Sequence, residues 1–394
     1  MPVHRKKNTT PPTPGSTQEQ TAPPLPDPQT FQQYLRELAR GAIRVVLEGV
    51  MREELDALIG VGWGESSPKR KGYRNGYYTR DLVTTTGRVE NVQVPRDREG
   101  QFHTQVFERY RRYEPQVARG LTEMFVAGVS TQKVGEVAQT LMGVAPSASA
   151  ISRLNRDLEQ QFTAWRERRL QEHWRILYLD GIHFSVRHGD QTDATMILVA
   201  LGVDLAGNKE VLALRACAEE DKEGWACLLH DLRSRGATQI DLIVTDGHDG
   251  LLAAVADLFS ATPRQRCLVH KQRNVLNAIP RRERADVQAE LVGIWKQPSK
   301  QEALTHLAAF KAKYAQRYPE AVRSLAEDEE HLLTFYEFPE AMHRYIQTTN
   351  AIESLFSNVR QRTDQIDVFT TETSCLTIVW ATIQDIRLHK LSLE

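Results

Sequence analysis

Two apolar segments with the length of buried strands each end in an aspartate. Asp180 ends the segment RILYLD, and Asp246 ends QIDLIVTD. Ligand and metal sites of open α/β sheets lie at the carboxyl ends of parallel strands, so two such strands side by side would bring these carboxylates together. Close carboxylates repel each other, and a divalent cation relieves that repulsion. Mg²⁺ binds hard oxygen ligands and often uses few protein carboxylates, so this pair is a candidate metal site.

A third carboxylate, Glu353, lies in a segment with helical periodicity, QTTNAIESLFSNVRQRT. One face of this helix is apolar, and its flank is polar at the same spacing. The apolar stripe is Ile352, Leu355, Phe356 and Val359, and the flank is Asn350, Glu353, Ser357 and Arg360. An isolated flank of this kind is usually a solvated edge with a Glu–Arg pair. If the stripe packs on the sheet, however, it points Glu353 at the two aspartates.

The acidic trio has a simpler explanation as well. Asp246 precedes a short helical segment and could serve only as its N-cap. The chain has 51 acidic residues, so trios occur by chance. The order of the segments therefore carries more weight than the trio itself.

The segments that follow Arg175 alternate in the way an α/β sheet requires. The predicted order is strand, hairpin, helix, strand, helix and strand, namely RILYLD, ATMILVALGVD with KEVLALRAC, DKEGWACLLHDLRSRG, QIDLIVTD, GLLAAVADLF and QRCLVH. A hairpin and one helix suffice for three antiparallel strands and a crossover to a fourth strand beside the first. Residues 280–338 are predicted to be helical, followed by the Glu353 helix and a last helix after Phe369.

The N-terminal part has a different composition. Residues 1–30 are rich in Pro, Thr and Gln and are expected to be disordered. A helix is predicted over Phe31–Ile59, and a hairpin around Gly87. Between Lys69 and Arg112, eleven Lys and Arg stand against five Asp and Glu, interleaved with six Tyr and Phe and followed by Tyr113. This segment could neutralise phosphates and stack on bases, or it could be a basic surface over a small aromatic core.

Three short helices are predicted between Pro115 and Phe162, separated by turns at Gly128 and at 143–146. The pattern suits a helix-turn-helix module whose third helix could enter a major groove. Packed units of three helices that contact no DNA have the same pattern.

Bulk properties exclude several classes. A chain of 394 residues is expected to form two or three domains. It has no apolar run long enough to span a membrane, and no apolar stretch follows the basic start as in a signal peptide. Its four cysteines form no CxxC pair, so neither a disulfide framework nor a four-ligand zinc site is evident. We expect a cytoplasmic protein.

Five stretches resemble, in the same order, those of the bacterial mutator-type (IS256 family) DDE transposases. They are YRNGYYTRDLVTTTGRVENVQVPRDREGQF (73–102), FVAGVSTQKVGEV (125–137), YLDGIHFSVR (178–187), TDGHDGLLAAVADLFSATPRQRCLVHKQRN (245–274) and TTNAIESLFSNVRQRT (348–363). The resemblance covers about residues 31 to 390. It implies an α/β protein with an RNase H-like catalytic core and an α-helical insertion, preceded by mainly α-helical N-terminal DNA-binding modules.

The resemblance also implies a division of the chain into segments. These are a disordered tail (1–30), an N-terminal helix with a basic β-hairpin that binds DNA (31–115), a helix-turn-helix-like DNA-binding domain (116–172), the first part of the core (173–280), the helical insertion (281–340) and the C-terminal core helices with the catalytic glutamate (341–394). The insertion would account for the separation of 107 positions from Asp246 to Glu353.

Carried over residue by residue, Asp180, Asp246 and Glu353 correspond to the catalytic, metal-binding triad, with Mg²⁺ as cofactor and Mn²⁺ as a substitute. Cys267 and His270 match the C-x-x-H signature near the active site. As a zinc pair they lack partners at a recognisable spacing, so we expect them to hold the fifth strand or contact DNA. Asn350 would orient Glu353, contact DNA or cap the helix.

The implied function is transposition. The protein would bind the terminal inverted repeats of its insertion sequence, cleave donor DNA and transfer the strand to target DNA by two-metal-ion chemistry. Its partners would be double-stranded DNA and a second copy of the chain, with no membrane, at the nucleoid. Expected phosphate contacts, which could equally be surface cations, are Lys69, Arg70, Lys71, Arg74, Arg96, Arg98, Lys271, Arg273, Arg360 and Arg362.

Two other functions remain open at this point. One is a metal-dependent nuclease of the RNase H superfamily that cuts without strand transfer. The other is a domesticated DNA-binding protein that uses only the N-terminal modules, although the presence of all three carboxylates argues against it.

Overall fold

The computed structural model describes residues 27–106, 113–129 and 131–393. Residues 1–26, for which disorder was expected, lie outside these ranges. So does the last part of the basic segment, 107–112. The described chain forms two compact units. The first comprises the residues up to Val117 together with Met142–Val144, and the second comprises Ala118–Leu141 and Ala145–Glu394.

The first unit is a helix packed on a hairpin. Helix α1 (Pro28–Ile59) begins three residues before the predicted start, because the Asp27 side chain accepts hydrogen bonds from the first backbone N–H groups. Residues 28–30 are therefore helical and not part of a tail. Strands β1 (Arg74–Thr84) and β2 (Gly87–Asp97) pair antiparallel, which confirms the predicted hairpin. Met51 of α1 packs against three valines of β2.

The three helices predicted between Pro115 and Phe162 are present. They are α2 (Pro115–Val126), α3 (Thr131–Met142) and α4 (Ala148–Glu167). Ser147 caps α4 by accepting a hydrogen bond from the backbone of Ala150. Leu158 and Phe162 lie in the main core of the second unit, where the Phe162 ring is 5.8 Å from that of Trp380. The C-terminal half of α4 thus contributes to this core.

The second unit is built around a five-stranded sheet. Its chain order is β3 (His173–Trp174), β4 (Ile176–His188), β5 (Gln191–Val203), β6 (Lys209–Cys217), α5 (Lys222–Ser234), β7 (Gln239–Ile240), β8 (Ile243–Thr245), α6 (Asp249–Leu258), β9 (Arg264–Arg266) and α7 (Leu268–Asn277). The sheet order is β6-β5-β4-β8-β9, and the short strands β3 and β7 pair separately. Strand β5 runs antiparallel to its neighbours, whereas β4, β8 and β9 are parallel. The predicted hairpin and crossover are confirmed.

Strand β4 is longer than predicted. It continues past Asp180 to His188, because every residue of this extension pairs with β5 as far as Gln191. The prediction that the strand ends at Asp180 was wrong. Its parallel pairing with β8, however, stops at Leu179. Asp180 is therefore the first residue of β4 beyond its parallel neighbour.

Helices cover both faces of the sheet, since successive side chains of a strand point to opposite sides. Leu177 and Leu179 of β4 lie in a cluster with residues of α5 and α6. Ile176 and Tyr178 lie in the larger cluster, with residues of the C-terminal helices. Burial on both faces explains why these strands are continuous apolar runs and do not alternate.

The predicted helical region after Pro280 is confirmed. It contains α8 (Arg284–Trp295), α9 (Lys300–Tyr314), α10 (Pro319–Glu327) and α11 (Glu329–Leu332). Three helices end the chain, namely α12 (Glu340–Ile346), α13 (Asn350–Thr363) and α14 (Glu372–Gln384). In the described parts of the chain, every helix is too short or too polar to cross a bilayer.

Candidate active site

Asp180 and Asp246 lie side by side at one edge of the sheet. The parallel register pairs Leu179 of β4 with Thr245, the last residue of β8, and the two aspartates are the next residues along the chain. The Gly181 N–H donates to Asp180 Oδ1 at 2.8 Å. Burial, and next the charge of Asp246, raise the pKa of Asp180 from 3.8 to about 7. This edge therefore holds two carboxylates that cannot both ionise without cost.

The turn after Asp246 does not use this residue as a helix cap. The N-cap of α6 is His248, whose N–H donates to Asp246 Oδ1 at 3.2 Å. Gly247 has φ 85°, and a Cβ there would overlap the guanidinium of Arg266. Only glycine fits both the left-handed conformation and the space. The tight turn leaves Asp246 facing Asp180 at the sheet edge.

Helix α13 supplies the third carboxylate. Its four predicted stripe residues, Ile352, Leu355, Phe356 and Val359, are buried. Glu353 lies in the first turn, and its charge also raises the pKa of Asp180. Among the described residues, the basic side chain that pairs with Glu353 is His270, with Nδ1 3.8 Å from Oε1. The flank is therefore the edge of a carboxylate cluster and not a Glu353–Arg360 pair.

The C-x-x-H pair lies at the start of α7, not in a strand. The predicted fifth strand is present as β9, but it ends at Arg266, so the prediction that it continues to His270 was wrong. Cys267 is buried, and its N–H donates to the carbonyl of Thr245 at 2.8 Å. Burial opposes ionisation of the Cys267 thiol, but hydrogen bonds with His270 and Thr349 hold its pKa below the usual value. The bond with Cys267 raises the pKa of His270, against the effect of burial.

Cys267, His270 and Glu353 place one donor atom each within 4.8 Å of one another, as three metal ligands could. The space between them is already occupied by the hydroxyl of Thr349. Its Oγ1 lies 2.6 Å from Glu353 Oε1, 3.3 Å from Cys267 Sγ and 3.4 Å from His270 Nδ1. A zinc ion bound at about 2.0–2.3 Å from these donors would need that position. In this structure the trio is a hydrogen-bonded group around the Thr349 hydroxyl.

Glu220 is a fourth carboxylate at this edge. It follows β6, and its Oε1 accepts a hydrogen bond from the Trp225 indole at 3.0 Å and lies 3.9 Å from His248 Nδ1. Burial, and next the charge of Asp246, raise the pKa of Glu220. Close approach of the chain at Gly250, where a Cβ would lie 2.8 Å from the backbone carbon of Asp221, brings the two loops together.

Sequence reasoning missed Glu220, although the signal was present. Strand β6 has the same direction as β4, because both pair antiparallel with β5. The acidic run Glu219–Asp221 after β6 must therefore lie at the same sheet edge as Asp180. Thr349 was missed as well, and nothing in its sequence context separates it from Thr348.

Two of the expected phosphate contacts are withdrawn from solvent by ion pairs within the protein. The Lys271 ammonium is buried and lies 2.7 Å from both Asp328 Oδ2 and the carbonyl of Ser324. The guanidinium of Arg74 binds the Asp56 carboxylate and the carbonyl of Val61. Neither side chain is positioned to contact DNA in this structure. The other eight cations are exposed, namely Lys69, Arg70, Lys71, Arg96, Arg98, Arg273, Arg360 and Arg362.

Replacement of Lys271 should therefore affect stability, whereas replacement of Arg273 should affect DNA binding. Lys271→Ala should lower the free energy of unfolding by about 3 kcal/mol, because it leaves a buried carboxylate less well paired. Arg273→Ala should change stability by less than about 0.5 kcal/mol. If Arg273 contacts a phosphate, its loss should reduce the salt slope of DNA binding by about 1. Urea unfolding and DNA titrations at several salt concentrations measure both; equal stability of the two variants would contradict the assignment.

Asn350 is not the N-cap of α13. It is the first residue of the helix, after the N-cap Thr349, and it is exposed. Its N–H donates to Thr348 Oγ1 at 3.4 Å. Of the three roles considered for Asn350, helix capping is therefore wrong.

The fold and the site define an α/β protein in which three acidic side chains from two strands and a late helix meet at one sheet edge. A family model described as "Transposase, Mutator family" matches residues 20–389. The chain belongs to this family.

Transposases of several insertion sequences are similar to this chain over most of its length. The chain is 37% identical over 342 residues to the transposase for insertion sequence element ISRM5 of Rhizobium meliloti, covering 87% of this chain and 86% of that protein. It is 30% identical over 357 residues to the transposase for IS256 in transposon Tn4001 of Staphylococcus aureus, covering 89% and 90%. A chain from a cryo-EM structure of a simian T-cell lymphotropic virus intasome covers 53% of this chain at 15% identity, but its TM-score of 0.18 carries no argument about the fold.

Proposed function

We propose that this chain is the transposase of an insertion sequence. It binds the terminal inverted repeats of its element, cleaves the donor DNA and transfers the cut strand to target DNA. The observation that carries the proposal is the meeting of Asp180, Asp246 and Glu353 at one sheet edge in a chain that belongs to the Mutator family. These three residues are the proposed DDE triad.

The sheet topology supports an RNase H-like core in this proposal. Three antiparallel strands are followed by a helix and two parallel strands, in the order β6-β5-β4-β8-β9. Helices α8–α11 then form the insertion between the last strand and the glutamate helix. The proposed segments are therefore the core in 173–280 and 341–394, and the insertion in 281–340.

The donor set fits Mg²⁺, with Mn²⁺ as a substitute. All three proposed ligands are carboxylates, the hard oxygen donors that Mg²⁺ prefers. The raised pKa of Asp180 reports a site where negative charge is crowded and partly buried, and cation binding would relieve that cost. When bound, the ions lower the pKa of a water or a 3′-hydroxyl and stabilise the leaving oxygen.

The remaining work falls to the protein's own residues. Strands β4 and β8 fix the two aspartates in register, so their separation does not depend on flexible loops. The buried stripe of α13 fixes the third carboxylate against the same edge. Exposed Arg273 and Arg360 would hold the DNA backbone. Asn350, exposed in the first turn of α13, would contact the DNA or orient Glu353.

The hairpin of the first unit would contribute DNA binding. Its exposed cations lie beside exposed tyrosines, with the Arg70 guanidinium 4.5 Å from the Tyr73 ring centroid and that of Arg96 4.9 Å from Tyr78. Such pairs present positive charge and flat aromatic surface together, which suits a nucleic-acid backbone and its bases. Helices α2–α4 would act as the helix-turn-helix-like part, with contacts limited to exposed residues outside the buried half of α4.

A homodimer would bring two transposon ends together, and α1 offers a surface for it. Six residues of α1 alternate at spacings of four and three, as in a coiled-coil seam, namely Phe31, Leu35, Leu38, Ala42, Val45 and Gly49. No described residue covers Leu38 or Val45, which are 59% and 68% exposed. In an antiparallel pair centred on residue 40, each large residue would face a smaller one, such as Phe31 opposite Gly49.

We expect Leu38→Glu to abolish this dimer, because the charge would be buried in the seam. Leu58→Glu, on the same helix but outside the repeat, is the matched control. Light scattering after gel filtration, with and without repeat DNA, gives the mass of each species. A monomeric wild type in both conditions, or a dimeric Leu38→Glu variant, would contradict the assignment.

Purified protein with DNA that carries the element's terminal repeats, a target plasmid and Mg²⁺ or Mn²⁺ tests the proposal. Nicked donor ends together with joined donor–target products are expected. Nicks without joined products would support the alternative of a metal-dependent nuclease. Specific binding without any nick would support the alternative of a domesticated DNA-binding protein. Inverted repeats in the DNA that flanks the gene would identify the substrate.

A further inference from the structure

We propose that Thr349 is a positioning residue that fixes the Glu353 carboxylate at the site, and that Cys267 in turn fixes Thr349 to the end of strand β8. This inference rests on the proposed function, in which Glu353 is a metal ligand. It gives the C-x-x-H segment a structural reason to lie beside the triad.

The hydroxyl of Thr349 has a single proton to donate. The side chain of Thr349 is buried, and its Oγ1 lies 2.6 Å from Glu353 Oε1. An ionised carboxylate only accepts hydrogen bonds, so the single hydroxyl proton of Thr349 must be donated to Glu353. The same hydroxyl oxygen also lies 3.3 Å from Cys267 Sγ and 3.4 Å from His270 Nδ1, at longer range than its contact with Glu353. Every group around the hydroxyl therefore restricts its rotation.

Thr349 does not act as an ordinary helix cap. Thr349 is the N-cap of α13, but its side chain makes no hydrogen bond to the helix backbone. A capping threonine normally accepts from an N–H in the first turn, which is worth about 1 kcal/mol. Here the hydroxyl is directed to the carboxylate of Glu353 one turn ahead. A residue selected only for helix stability would not be held in this orientation.

Hydrogen bonds link the end of β8 to the start of α13 through Cys267. The Cys267 N–H donates to the carbonyl of Thr245, the residue before Asp246, at 2.8 Å. The Cys267 Sγ accepts from the backbone N–H of Thr349 at 3.4 Å. The backbone of Leu268 also donates to the carbonyl of Gln347 at 2.9 Å. The strand that carries one carboxylate is thus tied, through Cys267 and Thr349, to the helix that carries another.

Mn²⁺ affinity is the decisive measurement, because it reports the arrangement of the carboxylates and requires neither DNA nor catalytic turnover. The full-length protein is titrated with Mn²⁺, and free Mn²⁺ is followed by electron paramagnetic resonance. We expect Thr349→Val, which keeps shape but loses the hydroxyl, to weaken binding at least about tenfold. Thr349→Ser, which keeps the hydroxyl, should bind within about threefold of the wild type.

Thr363→Val is the matched control. Thr363 is buried at the other end of α13, and its hydroxyl donates to the carbonyl of Val359 at 2.9 Å. The same substitution there removes a buried hydroxyl from the same helix, so it reports the purely structural effect. Thermal melts of the metal-free variants establish that each is folded. Thr349→Val and Thr363→Val should melt at similar temperatures, whereas only the first should lose Mn²⁺ affinity.

Glu353→Gln distinguishes the positioning role of Thr349 from the metal-binding role of Glu353. If Glu353→Gln weakens Mn²⁺ binding but Thr349→Val does not, the positioning role is wrong and the metal role of Glu353 stands. If Glu353→Gln has no effect on Mn²⁺ affinity, the metal role of Glu353 fails and the inference about Thr349 fails with it. If Thr349→Ser is as weak as Thr349→Val, the hydroxyl is not the group that matters, which also overturns the inference.

Discussion

Replacement of Asp246 by asparagine should reduce donor-end cleavage by at least roughly a thousandfold, since loss of a metal ligand removes about 4 kcal/mol of transition-state stabilisation. Asparagine keeps the shape of the side chain and can still accept the His248 N–H bond. The turn at Gly247 and the sheet should therefore be unchanged. Only the negative charge at the edge is lost.

Two measurements make this result specific to the site. Binding to repeat DNA should remain within about twofold, or tighten slightly, because one negative charge near the phosphates is removed. Asp249→Asn is the matched control, because Asp249 is exposed in the first turn of α6, three residues away from Asp246. It should retain at least half of the cleavage rate. Unchanged cleavage by Asp246→Asn with intact DNA binding would remove this residue from the proposed triad.

The juxtaposition of Asp180 and Asp246 could be predicted from the sequence because it depends only on the order of a few segments. Two apolar segments, a hairpin and one helix leave little choice of strand order once a crossover is assumed. The end of β4 could not be predicted in the same way. Whether a strand continues past Asp180 depends on the residues of β5 that pair with it, and those lie beyond a turn at Gly189.

Lys271 shows a different limit. Its position beside the C-x-x-H segment predicts a DNA contact as readily as an internal ion pair, because the sequence does not distinguish a lysine that binds phosphate from one that binds a carboxylate. The partner that decides between them, Asp328, lies 57 residues further along in the helical insertion. Thr349 is similar, because its role depends on contacts to Cys267 and Glu353 that no local pattern encodes. Pairings between distant segments are what the sequence alone leaves open.

Asp180→Asn should stabilise the metal-free protein while it abolishes catalysis. The pKa of Asp180 is raised from 3.8 to about 7 by burial and by Asp246. Below about pH 4 the carboxyl is protonated in both the folded and the unfolded chain, so it costs nothing. Between about pH 4 and 7 only the unfolded chain ionises, and the stability of the wild type therefore falls as pH rises. Above pH 7 the full cost remains, at most about 4 kcal/mol.

Asparagine cannot ionise, so the variant should lack this loss. We expect urea unfolding with a chelator present to give a higher free energy of unfolding for Asp180→Asn at pH 8, and equal values for both proteins near pH 4. Asp204→Asn is a control of opposite sign. Although burial opposes it, hydrogen bonds from Asn208 hold the pKa of Asp204 below its usual value, so its loss should destabilise the protein above pH 4.

Addition of Mn²⁺ should then reduce the difference in stability between Asp180→Asn and the wild type. A cation that binds only the folded wild type stabilises it by about 2.7 kcal/mol at a hundred times its Kd. The variant, which lacks a proposed ligand, should gain much less. A wild type as stable as Asp180→Asn at pH 8 without metal, or an equal gain of both proteins with Mn²⁺, would show that the sheet edge does not hold crowded charge. The same crowding that destabilises the metal-free fold is what gives the edge its affinity for a divalent cation.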